Sequence, residues 1–362
     1  MSTRSGYRVL VVRLGAMGDI LHALPAVTAL RQVHPGWTID WVVEPRWRAL
    51  LAAEGSTGRC VTTLSSRPSP LQPLVDHLHF AATKEWRKAI FSKTTIRAVR
   101  DLRCALQMGS YDVILDLQGA IRSAIVGQMA GSRRLIGDLV PREKAATLFY
   151  TDAIETCGEH VIEQGLELAA SIAGDELEPV APWLPVDPAA EAWAEGFLPA
   201  EEQEAGQKAI LINPGAGWGA KRWPVERYAA VASHFAAKGL RILVNAGPGE
   251  EPLAEAIRKQ APDATQILQC SLAQLIAITR RVSLAIAGDT GPLHLACALE
   301  KPVVGVYGPT DPARNGPFGT RFRVLRSPES KRDHSRYEAP EAGLLTIQPN
   351  QVVQAAEELL YP

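Results

Sequence analysis

An apolar run, residues 282–287, delivers Gly288-Asp289-Thr290-Gly291 to the end of what reads as a buried strand, and Pro292-Leu293-His294-Leu295-Ala296 then opens a helix. Strand, glycine turn and helix in that order constrain this chain more than its composition does, because such units bury their strands between helices and build parallel sheets. The turn also suits phosphate. Its glycines let backbone amides approach a ligand, Thr290 adds a hydroxyl, Pro292 fits the first helical turn, and the helix N-terminus carries roughly half a positive charge. Taken without its surroundings, the turn is equally well explained by Asp289 capping the helix.

The same order opens the chain. Residues 7–14 (Y-R-V-L-V-V-R-L) read as a buried strand, Gly15-Ala16-Met17-Gly18-Asp19 as the turn, and 20–34 as the helix. Further strands are expected at 38–43, after Pro35-Gly36, and at 111–117, after a basic helical segment. Residues 174–188 turn acidic and proline-rich (Pro179, Pro182, Pro185, Pro188) and read as a linker. A second series follows. Its strands at 209–212, 240–245 and 302–307 run into Asn213-Pro214-Gly215-Ala216-Gly217-Trp218-Gly219, Ala246-Gly247-Pro248-Gly249-Glu250-Glu251 and Gly308-Pro309-Thr310-Asp311-Pro312, with helices at 225–238 and 272–280. Residues 113–119 (V-I-L-D-L-Q-G) and 284–291 (L-A-I-A-G-D-T-G) echo one another in architecture. The 362 residues exceed one ordinary core and fit two domains of about 150 to 200 residues. An α/β chain of two doubly wound parallel sheets is predicted, ending in an amphipathic helix, Pro349–Leu360, with Val352, Val353, Ala356, Leu359 and Leu360 on one face.

Charge removes some classes of partner. With 38 basic against 39 acidic side chains and a net charge of -1, no global field draws the protein to nucleic acid, and none is expected as a partner. Cys60, Cys104, Cys157, Cys270 and Cys297 are scattered and never in C-x-x-C spacing, so neither a disulfide framework nor a zinc site is indicated and a reducing cytoplasm fits. The first apolar run is broken by Arg13 and followed by Asp19, unlike a signal-peptide core, and no stretch approaches 18 apolar residues, so a soluble protein is expected.

Common nucleotide signatures are missing. There is no G-x-x-x-x-G-K-[ST], and Gly215-x-Gly217-x-Gly219 has the wrong spacing for G-x-G-x-x-G, which weakens kinase, ATPase and simple dehydrogenase readings. Ligands of such sheets bind at strand carboxyl ends, so 213–221, 247–251 and 288–294 should converge. Lys221 or Arg222 would neutralise a diphosphate and Glu250 would take two ribose hydroxyls; each also reads as a solvated loop charge.

V-L-V-V-R-L-G-A-M-G-D-I-L-H-A-L-P near the start, D-W-V-V-E at 40–44, W-R-K-A-I-F at 86–91, D-L-Q-G at 116–119, A-K-R-W-P at 220–224 and G-D-T-G-P-L-H with V-Y-G-P-T-D-P between 288 and 312 together resemble glycosyltransferase family 9. That is the family of the lipopolysaccharide heptosyltransferases, and the heptosyltransferase I branch looks nearest. The resemblance implies a GT-B fold: two Rossmann-like domains facing across a cleft, the acceptor on residues 1–180, the nucleotide sugar on 189–345, and a final helix, 346–362, returning to the N-terminal domain. It implies inverting chemistry with no metal or other cofactor. The donor would be ADP-L-glycero-β-D-manno-heptose and the acceptor the Kdo-lipid A inner core. A monomer is expected in the cytoplasm, peripherally held at the inner membrane.

By the same resemblance Asp19 is the general base, although a carboxylate at a helix head also reads as a cap. Lys221, the Gly291 amide and the Thr290 hydroxyl would stabilise the leaving diphosphate, Asp289 would hold donor-sugar hydroxyls, His294 would lie near the phosphates unless it is a core histidine, Glu250 would bind ribose, and Cys270 would lie beside the nucleotide's base. Lys84, Arg87, Lys88, Lys93, Arg97, Arg100 and Arg103 form a basic run that reads as a solvated helix face, but its W-R-K core coincides with a family acceptor segment; Arg122 and Arg142 are further acceptor candidates. With Trp86, Ile90 and Phe91 beside it, that patch also suits an anionic membrane surface. The chain departs from the nearest branch at 213–221, where Gly215-Ala216-Gly217-Trp218 replaces a threonine pair, and residues 327–341 receive no role. A family 9 transferase with another nucleotide-sugar donor, a nucleotide-sugar 2-epimerase and a non-catalytic sugar-nucleotide-binding module are the competing readings.

Overall fold

Every strand pairing in the computed structural model is parallel, as expected of units in which a helix follows each strand. The structure describes residues 6–56, 69–262, 265–333 and 337–361; Cys60 and residues 334–336 of the unassigned stretch lie outside them. The chain divides into Met1–Asp187 and Pro188–Pro362.

In the N-terminal unit β1 (Arg8–Val12), β2 (Thr38–Val43), β3 (His77–Phe80), β4 (Val113–Asp116), β5 (Leu135–Asp138) and β6 (Asp152–Ile154) are ordered β3-β2-β1-β4-β5-β6. In the C-terminal unit β7 (Ala209–Asn213), β8 (Arg241–Asn245), β9 (Thr265–Leu268), β10 (Leu284–Gly288), β11 (Val303–Tyr307) and β12 (Phe322–Arg326) are ordered β12-β11-β10-β7-β8-β9. Numbered within each unit the two orders are the same, with the first strand beside the fourth. The echo between 113–119 and 284–291 therefore joins equivalent strands, β4 and β10. Central strands carry unbroken apolar runs because helices cover both faces: Val9, Leu10, Val11 and Val12 are fully buried, as are Leu284, Ala285, Ile286 and Ala287. Where the strand order reverses, between β1 and β4 and between β7 and β10, an α/β sheet opens its ligand crevice at the carboxyl ends.

Several boundaries differ from the sequence reading. The first helix, Met17–Val33, begins three residues early, so Asp19 lies in its first turn instead of before it. The proline-rich linker has no regular structure over 175–187 and is tied to the N-terminal unit, which moves the boundary to Asp187. Trp183 N donates to Thr28 Oγ1 at 3.3 Å, Val186 N to Pro70 O at 2.8 Å, and Glu54 N to Asp187 Oδ2 at 3.0 Å. The final helix corrects the expectation of a return to the N-terminal domain. Val352, Ala355, Ala356, Leu359 and Leu360 are buried with Phe235, Val304 and Val306 of the C-terminal unit, where the helix Val225–Ala237 and strands β10–β12 offer the matching apolar surface. Among the described residues no helix is long and apolar enough to cross a membrane.

Candidate active site

The turns selected in the C-terminal unit leave adjacent strands, for Ala287 pairs with Asn213 in register. That adjacency brings Lys221 to Asp289: Lys221 Nζ ion-pairs with Asp289 Oδ2 and donates to its backbone oxygen at 3.3 Å, 4.3 Å from the centre of the Trp218 ring. On the other carboxylate oxygen, His294 Nε2 lies 3.1 Å from Asp289 Oδ1. Side-chain exposures of 11% for Lys221, 9% for Asp289 and 6% for His294 make this a buried network, not solvated charge. Burial alone would raise the Asp289 pKa; the His294 hydrogen bond and the Lys221 ammonium outweigh it and hold the carboxyl well below the usual carboxylate range.

The capping reading of Asp289 is thereby replaced. Thr290 is the N-cap residue of the helix Gly291–Ala298 and makes no side-chain cap bond; its Oγ1 donates to Gly288 O at 3.2 Å. The hydroxyl must turn to donate to a phosphate, whereas the Gly291 N–H opens the helix, where geometry supplies no intrahelical acceptor. Glu250 is also more than a loop charge. It accepts the Gly247 N–H at 3.1 Å and lies so close to Gly215 that a Cβ there would meet Glu250 Oε1 at 2.0 Å. Asparagines that the sequence did not single out link the ends of β7, β8 and β9: Asn245 Nδ2 donates to Asn213 Oδ1 at 2.9 Å, and the Cys270 thiol lies 3.6 Å from Asn245 Oδ1. Burial pushes the Cys270 thiol up to about 11, so it stays protonated at neutral pH.

The stretch given no role contributes as well. Ala220 N donates to Tyr337 O at 3.0 Å and Glu341 N to Ala220 O at 3.2 Å, while a Cβ on Gly219 would come within 1.6 Å of Glu338 O. Residues 337–341 thus clamp the turn that carries Lys221. Gly219 is the only sequence trace of this contact, because the partner is a backbone oxygen.

In the N-terminal unit Asp19 supplies the cap that the sequence allowed and keeps a carboxylate oxygen in an ion pair. Its Oδ2 accepts the Ala16 N–H at 2.9 Å, the reciprocal half of a capping box, alanine having no side chain to supply the other half. Its Oδ1 lies 3.2 Å from Arg13 Nη2, and Arg142 Nη1 is 3.8 Å from Oδ2. Arg13 is itself anchored, with Nη1 on Leu117 O and Nε donating to Asp19 O at 3.1 Å. The carboxylate remains 33% exposed, open enough to meet a substrate. Arg122 is exposed in the first turn of the helix Ile121–Met129, one strand connection away.

Lys84, Arg87 and Lys88 are exposed on the short helix Thr83–Lys88, directly after the carboxyl end of β3. Trp86 turns inward onto the core, and Ile90 and Phe91 remain 58% and 93% exposed. This helix is held to β2 through Glu44, which accepts Thr83 Oγ1 at 3.0 Å and pairs with Arg46 at 3.0 Å.

Residues 99–344 match the family profile described as glycosyltransferase family 9 (heptosyltransferase). Lipopolysaccharide heptosyltransferase 1 of Escherichia coli K12 is 30% identical over 325 residues, spanning 89% of this chain and 94% of that protein. Lipooligosaccharide heptosyltransferase 2 of Haemophilus influenzae is 30% identical over 97% of this chain and 99% of its own length. Among solved structures, the E. coli heptosyltransferase WaaC with ADP-2-deoxy-2-fluoro heptose has 27% identity and a TM-score of 0.76, with 97% of this chain and 99% of that one covered. Matched end to end by such relatives, and over most of its length by the profile, the chain belongs to glycosyltransferase family 9 and is a glycosyltransferase.

Proposed function

We propose that this enzyme is an inverting heptosyltransferase that moves a heptose from ADP-L-glycero-β-D-manno-heptose to the Kdo-lipid A inner core of lipopolysaccharide, without a metal ion. The observation that carries the reading is the buried Lys221–Asp289–His294 network beside the start of the helix Gly291–Ala298. A departing diphosphate needs positive charge where its own charge develops, and Lys221, the Gly291 N–H and the helix dipole offer it in a buried setting. Asp289 repels phosphate and is suited to sugar hydroxyls, Glu250 to the ribose, and Cys270 to the flank of the adenine. Asp19 takes the proton from the attacking acceptor hydroxyl as the sugar acquires oxocarbenium character. Family membership favours transfer over epimerisation or bare binding, and relatives named for heptose transfer support the donor.

Calorimetric titration with ADP, UDP and GDP tests the donor. ADP is expected to bind at least about tenfold more tightly than the others, a difference of about 1.4 kcal/mol. Equal or tighter binding of UDP or GDP removes the heptose donor.

The acceptor carries phosphates and carboxylates and sits in a membrane. Lys84, Arg87 and Lys88, with exposed Ile90 and Phe91 beside them, suit both its charges and the anionic inner face of the cytoplasmic membrane. Each basic residue near such a surface contributes about 1 kcal/mol. Replacing all three with alanine is therefore expected to raise the acceptor KM and to weaken sedimentation with anionic liposomes. If neither changes, the patch is only a solvated helix face.

A further inference from the structure

The turn before Asp19 is flanked by two hydrogen-bond donors that have no partner among the described residues. Gln118, 4% exposed, follows β4, and its Oε1 accepts the Leu14 N–H at 2.8 Å. A backbone N–H only donates, so the amide atom facing Leu14 is the oxygen, and the NH2 group with both protons points elsewhere. That Nε2 is buried and has no partner among the described residues. Trp47, on the short helix Pro45–Leu50 after β2, lies over the next residue of the same turn: a Cβ on Gly15 would meet Trp47 Nε1 at 2.6 Å. This indole nitrogen too is buried without a partner. The third residue of the turn is Ala16, whose N–H is bonded to the Asp19 carboxylate at 2.9 Å.

Neither side chain is adrift. Gln118 N donates to Asp116 Oδ1 at 2.9 Å, and Asp116 is fixed in turn by Ser123 Oγ and Tyr150 OH, each at 2.9 Å. The Trp47 ring is stacked under Arg46, whose guanidinium carbon is 4.5 Å from its centre. Burying an N–H without an acceptor is unfavourable, and two such groups held rigidly around one three-residue turn are best explained by a ligand that completes them. Both donors are neutral, which suits an uncharged oxygen; the cations Arg13 and Arg142 already attend to charge at Asp19.

We infer that Trp47 Nε1 and Gln118 Nε2 are donors that seat a hydroxyl oxygen of the acceptor sugar beside Asp19. The inference deepens the proposed function and rests on its placing the acceptor at Asp19. Trp47→Phe keeps an aromatic side chain but removes the N–H together with part of the indole that packs against Gly15. Gln118→Glu keeps an acceptor for Leu14 N and replaces the NH2 donor with a carboxylate oxygen, which also adds a negative charge. Each is expected to raise the acceptor KM about tenfold, the loss of one hydrogen bond, with ADP affinity unchanged. Phenylalanine also gives up packed indole atoms, so a small drop in melting temperature is expected; a raised acceptor KM with unchanged ADP affinity is what a purely structural tryptophan would not produce.

Binding of Kdo-lipid A in detergent micelles to the Asp19→Asn protein separates this inference from the base assignment. There the same two substitutions should weaken binding about tenfold although no turnover is needed. If Asp19→Asn turns over like wild type, the base reading falls and this binding arm still decides. An acceptor KM and acceptor affinity within twofold of the parent in both variants would overturn the inference.

Discussion

Asp19→Asn is expected to lower kcat by about a hundredfold or more while the protein stays folded and binds ADP as tightly as wild type. A placed general base contributes roughly 10² to 10⁴ in rate, and an amide cannot take the proton of an attacking hydroxyl. The substitution separates the proposed role as base from the capping contact that the structure shows. Asparagine retains an oxygen for the Ala16 N–H, so the start of the helix Met17–Val33 keeps its 2.9 Å bond and stability should change little. What is lost is the charge held 3.2 Å from Arg13 and 3.8 Å from Arg142. Single-turnover kinetics with saturating donor and acceptor provide the check, and melting temperature and ADP calorimetry serve as controls. Wild-type turnover in a folded, ADP-binding mutant would leave Asp19 with the cap alone.

The sequence made the switch points visible because that is where central strands end. β1, β4, β7 and β10 are buried on both faces, so they read as unbroken apolar runs stopped by polar, glycine-containing turns. β3, β5, β6, β9 and β12 went unread. β3, β6, β9 and β12 are edge strands, and stretches such as H-L-H-F or F-R-V-L-R, half exposed in the structure, have neither a continuous apolar run nor a clean alternation, while β5 is an interior strand of only four residues, L-I-G-D, too short for a period to show. The family resemblance gave residues their roles but not their contacts. Nothing in one dimension pairs Lys221 with Asp289 or places Glu250 against Gly215, since both contacts arise from the parallel adjacency of β7 with β10 and β8. The clamp at 337–341 is a backbone-to-backbone contact and leaves no side-chain signature. The final helix shows the limit of pattern alone: its apolar face was legible, but which surface covers that face depends on the shape of the C-terminal sheet.

Lys221→Met is expected to combine a loss of activity with a loss of stability, and the pH dependence of the second identifies its cause. Removing one positioned positive group from a site of developing charge costs about 10² to 10³ in rate. The same change leaves Asp289, 9% exposed, with His294 as its remaining side-chain partner; breaking one side of a buried ion pair costs about 3 kcal/mol. The sign with pH follows from linkage. The Asp289 pKa is lowered in the folded state, so its contribution to stability is fully present above the unfolded carboxyl value of about 3.9 and is lost as pH falls through the folded value. Without Lys221 the folded value moves back up and less of that contribution exists to lose. The stability gap between wild type and Lys221→Met, measured by urea unfolding, should therefore be widest near pH 7 and narrow as the pH falls towards 3. Adding Asp289→Asn should recover stability in the Lys221→Met background, because it removes the stranded charge, yet restore no turnover. A gap that is constant with pH, or no recovery in the double mutant, would mean that Lys221 supports the site through its packing on Trp218 and not through its charge.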